Sequence, residues 1–219
     1  MSDTNFEDFE DFEEFEQEQD FSDDDYLPFV RPTPQKQEEV DLRHPPAPIP
    51  KQSSHMATRR LMTDLMEIQR CPVAKKLFSV TPHPDDFYVW DAKLFGYDES
   101  DQPLFGDLKK FCYDAITLEI RFCDQFPSLP PFIRVVSPIF EFRTGHVVLG
   151  GGVCHQALST DNWSPALTVH TLLNDIRINL VIGNARLSSN QDLHQYSLSA
   201  ATSSYTRAMS VHGWKAKRL

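Results

Sequence analysis

Residues 116–136 leave the chain few ways to fold. Ile116, Leu118, Ile120 and Phe122 alternate with Thr117, Glu119, Arg121 and Cys123. Successive side chains of a β-strand point to opposite faces, so a period of two predicts a strand with one buried face. Phe126-Pro127-Ser128-Leu129-Pro130-Pro131 then interrupts it, because proline cannot donate to a ladder, and residues 132–136 resume extended structure before Pro138. Upstream, Phe87-Tyr88-Val89-Trp90 is aromatic and β-branched, and Trp90, Ala92 and Leu94 alternate with Asp91 and Lys93. Residues 96–107 read as a turn-rich connection. Strands that follow one another without intervening helices form an antiparallel meander.

Helical patterns flank this block. Leu61, Leu65 and Ile68 step at i, i+4 and i+7, with Met62 and Met66 widening the stripe. Pro72 favours stopping that helix nearby. Arg59, Arg60 and Arg70 lie off the stripe and are expected to face water or a partner. Downstream, Val169, Leu172, Leu173, Ile176 and Leu180 mark a second helix that starts at Thr168. A weaker pattern over 198–212 places Leu198, Ala201, Tyr205 and Ala208 on one side. Helix, strands, an irregular glycine-rich stretch and further helices make an α+β domain.

Charge divides the chain. Residues 1–50 carry 16 of its 32 acidic residues and only Arg31, Lys36 and Arg43 as basic ones, whereas the remainder carries 18 basic and 16 acidic residues. Within the first segment Phe6, Phe9, Phe12 and Phe15 recur every third residue among acids, and Phe21 follows. A three-residue step drifts by about 60° around a helix, so these rings make no packed face. Like-charge repulsion and a lack of aliphatic residues predict a disordered arm over 1–52, its later part a Pro-rich linker, ahead of a core domain at 53–219. The arm reads either as a solvating tail or as an acidic-aromatic motif that docks on a basic groove of a partner.

Several classes are excluded as expectations. No apolar run reaches the length of a membrane span, and the acidic start is not a secretory signal. A near-neutral domain lacks the basic footprint of a nucleic-acid binder. Cys71, Cys112, Cys123 and Cys154 form no CxxC pair, so the reading is reduced thiols without a zinc site. Cys123 falls on the outer face of its strand and reads as a bystander. Cys154 follows Gly150-Gly151-Gly152, a run that can hold a thiol at the surface with free N–H groups near it. Local pattern also allows a small buried hydrophobe after a turn. A thiol hydrolase would need a His base, for which His146, His155, His170 and His212 qualify by type, but no local protease signature surrounds Cys154.

Taken in order, Phe126-Pro127, Pro130-Pro131, the Arg134-Val135-Val136-Ser137-Pro138 strand, Cys154 and Trp163-Ser164-Pro165-Ala166 resemble the ubiquitin-conjugating (E2) family. The opening helix and Trp90 fit the same layout. The glycine-rich approach to the cysteine and the Gly213-Trp214 pair look most like its Q-type branch, and the resemblance covers roughly residues 57–214. It implies a UBC-like fold: a four-stranded antiparallel meander flanked by an N-terminal helix and C-terminal helices.

The resemblance also implies an activity. Cys154 would accept ubiquitin as a thioester from an activating enzyme (E1) and pass it to a substrate amine, alone or with an E3 ligase. ATP would be used by the E1, with no cofactor bound here, in the cytoplasm or nucleus. His-Pro-Asn, common upstream of the cysteine in the family, is absent; His146-Val147-Val148 stands there, as the Q-type branch also lacks the triplet. His146 is the first candidate for oxyanion or loop support, with backbone N–H groups around Gly151-Gly152 as the alternative and His212 folding back beside Trp214 as a more distant one. Arg59 and Arg60 would meet the E1, and Ser164-Pro165-Ala166 the ligase. Leu129 would partly replace an aromatic ligase anchor absent from this chain. A non-catalytic adaptor acting through its arm, and an E2 for another ubiquitin-like modifier, are the other readings.

Overall fold

The computed structural model describes residues 54–190 and 195–213; the arm and linker expected over 1–52, and Trp214, lie outside them. The alternating run becomes β3 (Ile116–Arg121), with Ile116, Leu118 and Ile120 buried. It pairs antiparallel with β2 (Asp86–Leu94) and β4 (Phe132–Ser137). Trp90 lies opposite Ile120, Ala92 opposite Leu118 and Leu94 opposite Ile116, so one face of the sheet is continuously apolar. A slip of one residue would turn that face to water, which is why burial holds the register.

A fourth strand, β1 (Phe78–His83), pairs with β2 and completes the order β1-β2-β3-β4. The family resemblance implied four strands, yet the periodicity marked only three. In β1 only Phe78 is buried, and Pro82 suits an edge strand without advertising one.

The inner face packs against α1 (His55–Arg70) and α4 (Val169–Ile182), whose buried residues join one core with the sheet. Thr168 caps α4 by accepting from the Thr171 N–H, as its position predicted. In α1 the buried face is Ala57, Leu61, Asp64 and Ile68, while Met62 and Met66 are 53% and 45% exposed. The methionine-widened stripe is therefore corrected. The helix turns a carboxylate inward instead, because Arg60 and the Val169 N–H satisfy it.

After the short helix α2 (Ala74–Leu77) and the first two strands, the end of the segment read as turns begins α3 (Leu104–Lys110). Leu104, Asp107 and Leu108 form its buried side, and Asp107 accepts from the Leu187 N–H at 3.0 Å and from Arg186. Pro103 and Gly106 disguise this helix locally.

The last helix, α5 (Leu198–Val211), covers the opposite face of the sheet at β4. There Phe132 meets Ala201, Tyr205 and Met209 in a small separate cluster, while the next residue, Ile133, points into the main core. Met209, rather than the expected Ala208, completes the buried side of α5.

Candidate thiol site

Cys154 is placed by backbone bonding along the free edge of β4. The Val135 N–H donates to the Gly151 carbonyl at 2.7 Å, the Val153 N–H donates to the Ile133 carbonyl at 3.0 Å, and Gly152 bridges Arg134. On its other side the Cys154 N–H donates to the His146 carbonyl at 2.8 Å, and Val147 bridges Val153. The residues around the thiol are thus pinned between a core strand and the 146–148 segment.

The three glycines are required by α5 and its approach. A Cβ on Gly150 would lie 2.5 Å from the Ala200 carbonyl oxygen, one on Gly151 2.6 Å from the Tyr196 ring, and one on Gly152 3.0 Å from Tyr205 Cβ. Only Gly151 also has a left-handed backbone, φ +94°. The expectation of a surface loop with free amides is corrected accordingly: the Gly150 and Gly151 N–H groups both donate to the Val148 carbonyl.

Tyr205 packs beside Gly152 and donates its hydroxyl to the Leu158 carbonyl at 3.1 Å, so it touches chain on both sides of Cys154. Tyr196 is tied down as well. Its hydroxyl accepts from the Phe140 N–H, and its carbonyl accepts from Arg134. In sequence Tyr205 reads only as one residue of a weak helical stripe, and no local pattern marks Tyr196.

Cys154 is half-buried, and burial pushes its thiol pKa up. The side chain is consequently held as the thiol near neutral pH. With little thiolate present, it is a poor spontaneous nucleophile. Of the other cysteines, Cys112 is exposed, Cys71 is half-buried, and all are free thiols. Cys123 is half-buried and lines, with Phe132, Leu158 and Tyr205, a cavity of about 50 Å³.

Two of the four candidate histidines reach this neighbourhood. His146 is exposed, has φ +55°, and leans on the end of α4, where a methyl on Gly183 would lie 2.7 Å from its Cδ2. Its backbone holds Cys154. The half-buried ring of His155 accepts at Nδ1 from the Ala157 N–H, starting a 3-10 turn at Gln156–Leu158, and its Nε2 meets the Asn179 amide at 2.9 Å. Burial pushes the His155 pKa down, partly opposed by Asp175, so the ring is neutral. His170 instead meets Glu67 and the Phe78 ring, and His212 ends α5. Among the described residues no His, Cys, Asp and Glu side chains cluster to hold a metal ion, and no helix is long and apolar enough to cross a membrane.

The expected partner residues divide. Arg59, Ser164, Pro165 and Ala166 are exposed, and Leu129 is half-buried. The two loops come together, since Trp163 donates its indole N–H to the Pro127 carbonyl at 2.6 Å and packs against Phe126. Arg60 departs from expectation. Rather than facing a partner freely, its guanidinium bonds Asp64 and the carbonyls of Pro165 and Leu167.

The family model described as "Ubiquitin-conjugating enzyme" matches residues 60–209. The chain belongs to this family. Human ubiquitin-conjugating enzyme E2 Q1 is 37% identical over 169 residues, covering 74% of this chain and 39% of that protein. Ubiquitin-conjugating enzyme E2 25 of Caenorhabditis elegans is 33% identical over 174 residues, covering 74% of this chain and 44% of that protein. The human ubiquitin-conjugating enzyme E2 Q-like protein 1 is 30% identical over 158 residues, covering 70% of this chain and 95% of that protein. The chain thus spans less than half the length of the first two relatives. These likenesses agree with the Q-type resemblance read from the glycines before Cys154.

Proposed function

We propose that the chain is an E2 ubiquitin-conjugating enzyme in which Cys154 carries the tag. In loading, the Cys154 sulfur attacks the thioester carbonyl joining ubiquitin to the activating enzyme, and the enzyme's own cysteine leaves as thiolate. In transfer, a substrate amine attacks the new thioester, a C–N bond forms, Cys154 leaves as thiolate, and the amine's proton goes to solvent or a nearby acceptor. The observation that carries this reading is the placement of Cys154: a thiol held by backbone bonds at the edge of the core sheet, within the family segment.

His146 supports the site through its carbonyl, which receives the Cys154 N–H, and its ring braces the segment against α4. Arg59 faces the E1, and Leu129 with Ser164-Pro165-Ala166 faces an E3 ligase. ATP is consumed by the E1 and no cofactor is required of this chain. The setting is the cytoplasm or nucleus, where thiols stay reduced.

The test is a non-reducing gel after incubation with E1, ATP and ubiquitin. The expected result is one reducible adduct that Cys154→Ala abolishes. An adduct only with a related modifier would identify an E2 for that tag, and no adduct with any tag would leave the adaptor reading. His146→Ala keeps the carbonyl and is expected to discharge within about threefold of the parent; a hundredfold loss would assign its imidazole an oxyanion role.

A further inference from the structure

Arg60 sits where three distant parts of the chain converge. Its Nε donates to Asp64 Oδ1 at 2.9 Å, Nη1 to the Pro165 carbonyl at 2.6 Å and Nη2 to the Leu167 carbonyl at 2.7 Å. The guanidinium also lies 5.6 Å from the centre of the Phe126 ring. Asp64 is 1% exposed and uses its second oxygen to accept from the Val169 N–H, at the first turn of α4. Among the described residues, the Ser164–Leu167 turn has only short-range bonds of its own, Leu167 N–H to the Ser164 carbonyl and Ala166 N–H to the Ser164 hydroxyl. Trp163 completes the assembly by bonding the Pro127 carbonyl. The exposed residues of the two loops are Ser128, Ser164, Pro165 and Ala166, beside half-buried Leu129.

We propose that Arg60 is a positioning residue that clips the 126–129 and 164–167 loops to α1, so that partners meet one preorganised surface rather than two separate loops. The proposal rests on the reading of the chain as a conjugating enzyme, for which these loops face partners. Docking onto a surface already in its bound arrangement avoids the ordering cost a loose loop would add. Arg60 reaches its three acceptors from three separate nitrogens of a rigid plane; a lysine ammonium keeps the charge but gathers its donors on one nitrogen and loses that geometry.

The experiment compares the full chain with Arg60→Lys and Arg59→Ala. Hydrogen exchange of residues 166–169 reads the clip directly. E1-driven loading is measured against chain concentration, and the isolated thioester is discharged to hydroxylamine, a nucleophile that needs no docking. For R60K the exchange at 166–169 is expected to quicken, and the half-saturating chain concentration in loading to rise about tenfold, as for one lost charge-assisted hydrogen bond. Maximal loading rate and hydroxylamine discharge are expected to stay within twofold. R59A is expected to leave the exchange unchanged. Unchanged exchange in R60K, equal quickening in R59A, or a parallel fall in hydroxylamine discharge would each overturn the proposal. Should the parent chain take no tag at all, the enzymatic reading fails, while the exchange result still decides the clip.

Discussion

Gly150→Ala isolates the dependence of the thiol site on α5. Gly150 does not need a left-handed backbone, so the substitution adds one methyl and little else. That methyl would sit 2.5 Å from the Ala200 carbonyl oxygen and 2.7 Å from Ser204 Oγ. The hydroxyl can rotate away, but the carbonyl belongs to the first turn of α5. To restore ordinary contact the helix must retreat by about an ångström, which loosens Ala201, Tyr205 and Met209 from Phe132. Overpacking of this kind costs about 1–3 kcal/mol, which for a domain of this size lowers Tm by roughly 2–12 °C. Gly106→Ala is the control: its methyl would meet only the flexible end of Gln102 inside α3, and alanine favours helix by about 0.5–1 kcal/mol. Calorimetry on the full chain should therefore show G150A melting lower and G106A melting level or higher. Because burial is what raises the Cys154 pKa, loosening α5 should also speed Cys154 alkylation at neutral pH. A G150A variant that melts with its parent and alkylates at the parental rate would refute the placement of α5 over the glycine run.

Other consequences are open to direct measurement. The iodoacetamide rate at Cys154 should rise with pH to a midpoint above that of the same thiol in urea, since burial raises its pKa; equal midpoints would refute a desolvated thiol. In Glu119, burial pushes the pKa up, but bonds to Arg121 and Arg134 outweigh it and hold the carboxyl below the ordinary range. A depressed carboxylate stabilises the fold above its unfolded pKa and loses that contribution as pH falls through the folded value. The stability gap between parent and Glu119→Gln should accordingly be full at pH 6–7 and close in acid, as denaturant titrations at several pH values would reveal. Trp163→Phe should cost about 1 kcal/mol for the lost bond to the Pro127 carbonyl and quicken hydrogen exchange in both loops it joins. Unaltered exchange there would show that the indole does not join them.

Much of the frame was legible because local periodicity and burial agree. β3 alternates so regularly that its buried face follows from polarity alone, and α4 shows both its stripe and its cap. β1 and α3 were hidden for opposite reasons. The first buries too few residues to show a pattern, and the second is only seven residues long, follows a proline and holds a glycine. The inward face of α1 was misread because hydrophobicity ranks methionine above aspartate, while a buried carboxylate is tolerable only with partners, and one of the two here, the Val169 N–H, lies more than a hundred residues away.

The thiol site divides along the same line. By itself the sequence determined that one cysteine follows a glycine run inside an ordered set of family motifs, enough to single out Cys154. Tertiary structure decided what the glycines are for, how the His146 and His155 rings meet α4 and its end, and that Arg60 is a clip rather than a free contact. These depend on hydrogen bonds and close approaches between residues far apart in the chain, such as Arg60 with Leu167 and Gly150 with Ala200. Composition and spacing carry the energetics of neighbours along the chain; such contacts exist only once the sheet, α4 and α5 have closed around the site.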